Sequence, residues 1–122
     1  MEEMHLVQWL RRIQQAWELD LLTFARISHL SEATLKEFFA LSAKELALLP
    51  TIPEKLSAAV PLVSLFKRIQ EVYPDPKAQN EWLKNPNSVL EWQVPVDVIA
   101  LSPEHLSYVS YVVESGISQT RV

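Results

Sequence analysis

The stretch Ala78-Gln79-Asn80-Glu81-Trp82-Leu83-Lys84-Asn85-Pro86-Asn87-Ser88-Val89-Leu90, followed by Pro95-Val96-Asp97-Val98-Ile99, decides how this chain is read. Its breakers predict a helix ending at Asn85, a Pro86-Asn87 turn, a short apolar turn and a second helix opening at Pro95. Upstream, Asp75 is placed to cap the first of these helices, with Pro76 at its first position. Downstream, Ser102-Pro103 repeats the same cap-and-proline start. The last helix places Leu106, Val109 and Val113 on one stripe, widened by Tyr108, Tyr111 and Val112, and Gly116 is its expected stop.

Working back towards the start, Leu62, Leu65, Phe66, Ile69, Val72 and Tyr73 follow the helical period. Pro61 either opens that helix or kinks a longer one. Leu6, Leu10, Ile13 and Trp17 predict a first helix over residues 3–18. Residues 21–28 form a short apolar helix, and His29-Leu30 is the turn after it. Ser31 caps a third helix carrying Leu35, Phe38 and Phe39 inward. Ser42 caps a fourth with Leu46 and Leu49, stopped by Pro50. Thr51-Ile52-Pro53 is the best internal boundary. The whole predicts an all-α chain of about eight helices and no strand, with residues 1–50 and 54–122 as its two parts.

The 122 residues suffice for one ordinary domain with a real core. No apolar run reaches the roughly 18 residues of a membrane span. The acidic start Met1-Glu2-Glu3-Met4 lacks a signal-peptide profile, and a cytoplasmic protein is expected. The absence of cysteine excludes a disulfide framework and thiolate metal sites. A single glycine, Gly116, excludes a P-loop and a dinucleotide fingerprint, which both need glycines against phosphates. The net charge of −4 argues against nucleic-acid binding through a broad basic surface.

The pattern Ala78-x3-Trp82-Leu83-x2-Pro86-Asn87-x2-Leu90-x4-Pro95-x-Asp97 resembles the C-terminal toxin-binding domain of the Xre–MbcA–ParS antitoxins. The likeness extends upstream to Glu71-Val72-Tyr73 before Pro74-Asp75, and downstream to Ser102-Pro103-Glu104 and Val109. It covers about the last sixty residues well and the N-terminal half more weakly. Three departures stand out. Glu91-Trp92 replaces a glycine pair, His105 replaces a glycine after the Pro-Glu of the last helix, and Gly116 lies a few residues early. The resemblance implies a non-catalytic antitoxin that binds and neutralises a RES-domain, NAD-consuming toxin. It further implies an N-terminal helix-turn-helix that represses the protein's own operon. Apolar and aromatic residues of the last two helices (Trp92, Val94, Leu106, Tyr108, Tyr111) would dock on the toxin. Arg121 in the tail would approach an anionic group in its cleft, although a frayed terminus is the more ordinary explanation of that tail.

Ala25, His29, Leu30, Leu35 and Phe38 have the spacing of a helix-turn-helix, with His29 where glycine often sits. The outward face of the second helix would present Glu32, Ala33, Lys36 and Glu37, so that Lys36 alone helps, flanked by Arg11, Arg12 and Arg26. That is a poor endowment for phosphate contacts, which a homodimer would double. A helical hairpin that packs and binds no DNA is the plainer alternative. A DNA-binding regulator without a toxin and a non-catalytic helical scaffold remain open as functions. His5, His29 and His105 fall in separate elements, and Glu2-x2-His5 alone makes no metal site. Asp75 and Asp97 are explained as helix-start residues. No catalytic residue, cofactor or metal is assigned. Tyr108 and Tyr111 share a helix face as a candidate interface pair, or cap a small core.

Overall fold

A computed structural model describes residues 4–119, with side chains described up to residue 115. Among the described residues the fold is all-α, with no strand. In chain order the helices are α1 (Leu6–Ala16), α2 (Leu21–Ser28), α3 (Glu32–Phe39), α4 (Ala43–Ala47), α5 (Val60–Val72), α6 (Pro76–Lys84), α7 (Pro95–Ile99) and α8 (Pro103–Gln119). Two 3-10 helices, Glu54–Ala59 and Ser88–Leu90, precede α5 and α7. No helix among the described residues is long and apolar enough to cross a membrane.

Short polar side chains start the helices where the sequence puts them. Asp20 accepts from the Thr23 amide at 2.8 Å and Ser31 Oγ from the Thr34 amide at 3.0 Å. Ser42 and Glu45 form a reciprocal capping box at the start of α4. Asp75 Oδ1 accepts from the Lys77 amide at 3.2 Å, and Ser102 Oγ from the His105 amide at 3.1 Å. Each cap satisfies a backbone donor that has no partner inside its helix.

Three expectations are corrected, and the open question of Pro61 is decided. The first helix runs over Leu6–Ala16, not 3–18, because His5 is its cap: ring Nδ1 accepts from the Val7 amide at 3.1 Å and Gln8 answers the His5 amide at 2.8 Å. At its other end Trp17 has left helical geometry. Pro61 lies in the first turn of α5, where its missing N–H is not needed, so it opens the helix rather than kinking it. Of the two leucines given to the fourth helix only Leu46 is buried; Leu49 lies outside it and is exposed. Gly116 does not stop α8, which continues to Gln119. A lone glycine costs a helix about 1 kcal/mol, too little to end one whose inner stripe is packed.

Helix α5 is the centre of the packing, lying against α8 and α1, with α6 alongside. Its Leu62, Leu65, Phe66 and Ile69 are all buried. Trp17 meets the Phe66 ring edge-on at 5.4 Å, and Trp9 does so at 6.4 Å. Trp17 Nε1 donates to Gln79 Oε1 at 3.1 Å, and Gln79 Nε2 donates to the Tyr73 carbonyl at 2.8 Å. These bonds satisfy a buried amide that would otherwise destabilise the core. Asn80 Nδ2 reaches the Ala16 carbonyl at 2.6 Å. One hydrophobic cluster therefore runs from Leu6 to Val109, and residues 1–50 and 54–122 share it.

Candidate functional site

The segment that joins α6 to α7 closes on itself. Asn87 pairs with Gln93 as an isolated antiparallel bridge, and the Trp92 amide donates to the Asn87 carbonyl at 2.8 Å. Asn87 Oδ1 accepts from the Val89 amide at 2.8 Å. The Gln93 amide reaches the Leu90 carbonyl at 3.1 Å, so Leu90-Glu91-Trp92-Gln93 is a tight turn. Both central residues are left-handed: Glu91 has φ 57° and Trp92 φ 65°. Neither is glycine, so each costs about 1–2 kcal/mol in backbone strain. The loop accepts this because Leu90 anchors it in the core while Trp92 is carried outward, 71% exposed.

Beside this turn lies a groove of about 340 Å³. Leu90 and Val98 form its buried apolar floor, and Tyr108 from α8 is one wall. Glu91, Gln93, Glu104 and His105 supply its polar edge. Its polar α8 edge begins with a local network in which Ser102 Oγ and His105 Nδ1 are 2.7 Å apart. Glu104 is held below the usual carboxylate range, first by the hydrogen bond from its own backbone N–H and then by the Ser102 hydroxyl. The charges of His105 and His29 act on it in the same direction. Glu104 is thus ionised at neutral pH, in the first turn of a helix where negative charge is favoured.

Of the residues expected to dock on a partner, Trp92, Tyr108 and Tyr111 are exposed on this side of the sequence, the two tyrosines at 49% and 68%. Val94 is half-buried before α7. Leu106 is a correction: it is fully buried and belongs to the core stripe with Val109, so it supports the face without reaching it. Its neighbours two and five positions on, Tyr108 and Tyr111, point to the opposite side because successive helical residues turn by about 100°. Arg121 lies outside the described residues. Sequence reasoning missed Val89 and Leu101, which are 62% and 64% exposed. Leu101 sits just before the Ser102 cap, outside both helices, which was the available signal.

The residues expected to meet DNA do not act as one group. Arg11 is structural: its guanidinium donates to the Phe39 carbonyl and, at 3.2 Å, to the Leu41 carbonyl, and it lies over the Phe39 ring. Those donors are engaged within the molecule at the end of α3. Arg12 and Lys67 both lie over the Trp9 ring, at 5.6 and 4.7 Å. Arg26 and Lys36 are exposed on α2 and α3, next to exposed Glu32 and Glu37. The turn between those helices is left-handed at His29, φ 60°, as a helix-turn-helix spacing leads one to expect. Its ring supplies a long-range tie not legible in the sequence: Nε2 donates to the Ile99 carbonyl at 3.0 Å, since a carbonyl only accepts.

Among the described residues no three histidine or carboxylate side chains converge as metal ligands. The chain matches no protein-family model, and no curated protein matches it in sequence.

Proposed function

We propose that this chain is the antitoxin of a toxin–antitoxin pair and that it neutralises a RES-domain, NAD-consuming toxin by covering the toxin's active site. The observation that carries the reading is the exposure of three large aromatics on the segment that bears the antitoxin-like pattern. There Trp92, Tyr108 and Tyr111 project from elements whose other sides are locked in the core. Exposed Trp and Tyr on a rigid support are the residues that most often dominate binding energy at protein interfaces. The left-handed pair Glu91-Trp92 gives further support, since it falls where the resembled domain has two glycines, the residue type suited to that geometry. Inhibition by occlusion asks for no catalytic group, only for shape and desolvated contacts held in place.

In this proposal the α2–α3 hairpin is chiefly scaffold. Its Asp20, Glu32 and Glu37 outnumber Arg26 and Lys36, and its turn is tied to the rest of the molecule through His29. Repression of its own operon is a separate part of the proposal, tested by salt-dependent binding to upstream DNA and its loss in Lys36→Glu or Arg26→Glu.

The main test is direct. The protein is co-expressed with a RES-domain toxin encoded beside it, and NAD consumption is followed as antitoxin is added. Stoichiometric inhibition and a co-eluting complex are expected, with Trp92→Ala weakening the complex by about 2 kcal/mol or more. A toxin that stays fully active in excess of this protein rejects the proposal.

A further inference from the structure

We propose that the groove between the Leu90–Gln93 turn and the start of α8 is a socket for an arginine side chain presented by the protein that covers this face. The inference rests on the reading of this face as protein-binding, and it names the chemistry of the contact.

Three features of the groove select that occupant. Its floor is apolar, from Leu90 and Val98, and suits an aliphatic stem that keeps its charge at the mouth. Its edge includes Glu91 and Glu104, from different structural elements, together with His105; among the described residues no lysine or arginine lines it. A cation between the two carboxylates would meet negative charge from the turn on one side and the helix start on the other. Tyr108 supplies an aromatic wall, and Gln93 lines the same groove. A planar guanidinium with five donors uses such a set of acceptors and a ring face together, whereas an ammonium is a compact point charge that prefers its water.

The groove also has the right surroundings. The strained turn that brings Glu91 to its edge also projects Trp92 into solvent. A partner covering Trp92 would exclude water from the Glu91–Glu104 pair and strengthen the charge attraction. His105 lines the same edge, with its Nδ1 held 2.7 Å from Ser102 Oγ.

The test uses two independent measurements. In the first, the isotopically labelled full chain is titrated with N-ethylguanidinium, with butylammonium and with sodium chloride at matched ionic strength. Saturable shifts of the Glu91, Val98, His105 and Tyr108 amides are expected with the guanidinium, several-fold stronger than with butylammonium, and lost in the double variant Glu91→Gln/Glu104→Gln. Shifts no larger than those from sodium chloride, or unchanged in the double variant, overturn the socket whether or not a toxin is bound. In the second, the affinity for the RES-domain toxin is compared between the wild-type chain and the same double variant. A loss of about tenfold or more, with a weaker salt dependence, is expected for a charge-assisted pair. Equal affinity and equal salt dependence overturn the socket while leaving the antitoxin reading intact. Absence of toxin binding by the wild-type chain rejects the antitoxin reading, and the guanidinium titration still decides the socket. Both glutamates are exposed, so the variants fold; a thermal melt checks this.

Discussion

Among the described residues non-glycine positions with positive φ fall at Glu18, at His29 and at the Glu91-Trp92 pair, and the last two regions use that geometry differently. At the end of α2, His29 turns the chain into α3, and its ring then bonds the Ile99 carbonyl at the end of α7. The strain there is offset inside the molecule, and the surface around it is charged and mixed in sign. Between α6 and α7, Glu91 and Trp92 adopt the same conformation consecutively, yet the Trp92 ring is directed into solvent. Strain that a side chain offsets internally marks scaffold; strain that carries a large aromatic outward marks a surface shaped for something else to meet.

The largest expected effect tests whether the two regions stand on one core. Phe66→Ala removes the ring that Trp9 and Trp17 pack against and should destabilise the fold by about 3–5 kcal/mol. Urea unfolding followed by circular dichroism and by tryptophan fluorescence should move together, as one transition. Separate transitions would break the comparison by making the two regions independent units.

His29→Ala is next. It loses the bond to Ile99 while leaving a side chain in left-handed geometry, and should cost about 1–2 kcal/mol. His29→Gly should cost less, because glycine relieves the backbone. Equal losses in the two variants would show that the turn's strain is not what the ring offsets.

Trp92→Gly should do the reverse and stabilise the fold by about 0.5–1 kcal/mol, while weakening partner binding. A melting temperature that rises as affinity falls would sharpen the contrast. A variant that loses stability would place Trp92 in the scaffold after all.

The smallest effect concerns pH. Hydrogen bonds to the side chain and amide of Thr23 lower the Asp20 carboxyl, and those to the amide and side chain of Ser42 lower that of Glu45. A carboxyl lowered by folding stabilises above its unfolded value, and that contribution is lost as pH falls through the folded value. Stability should therefore decline as pH falls below the ordinary values of 4.5 for Glu45 and 3.8 for Asp20 and through the lowered ones, and Asp20→Asn should flatten part of that decline. An unchanged pH profile in Asp20→Asn would remove the cap from the account.

Much of the fold was legible because its signals are local. Ser31, Ser42, Asp75 and Ser102 each act on an amide two or three residues ahead, so identity and spacing are enough. Trp92, Tyr108 and Tyr111 were legible as candidates for the same reason, being large aromatics beside turns or off the main stripe. Leu106 misled because its place on an apolar stripe says that it contacts something, not whether that is α5 or a partner. The structural role of Arg11 was not legible because its acceptors, the Phe39 and Leu41 carbonyls, lie about thirty residues away.

The amino-acid order alone determined the succession of helices, the caps at Ser31, Ser42, Asp75 and Ser102 and the all-α class, since helical periodicity and capping act within a turn or two of chain. Only the tertiary structure decided that the two parts share one core, that Glu91 and Trp92 are both left-handed, and that Leu90, Val98, Glu104 and Tyr108 line one groove. Those outcomes depend on which helix lies against which, and burial is a property of the neighbours a residue acquires, not of the residue.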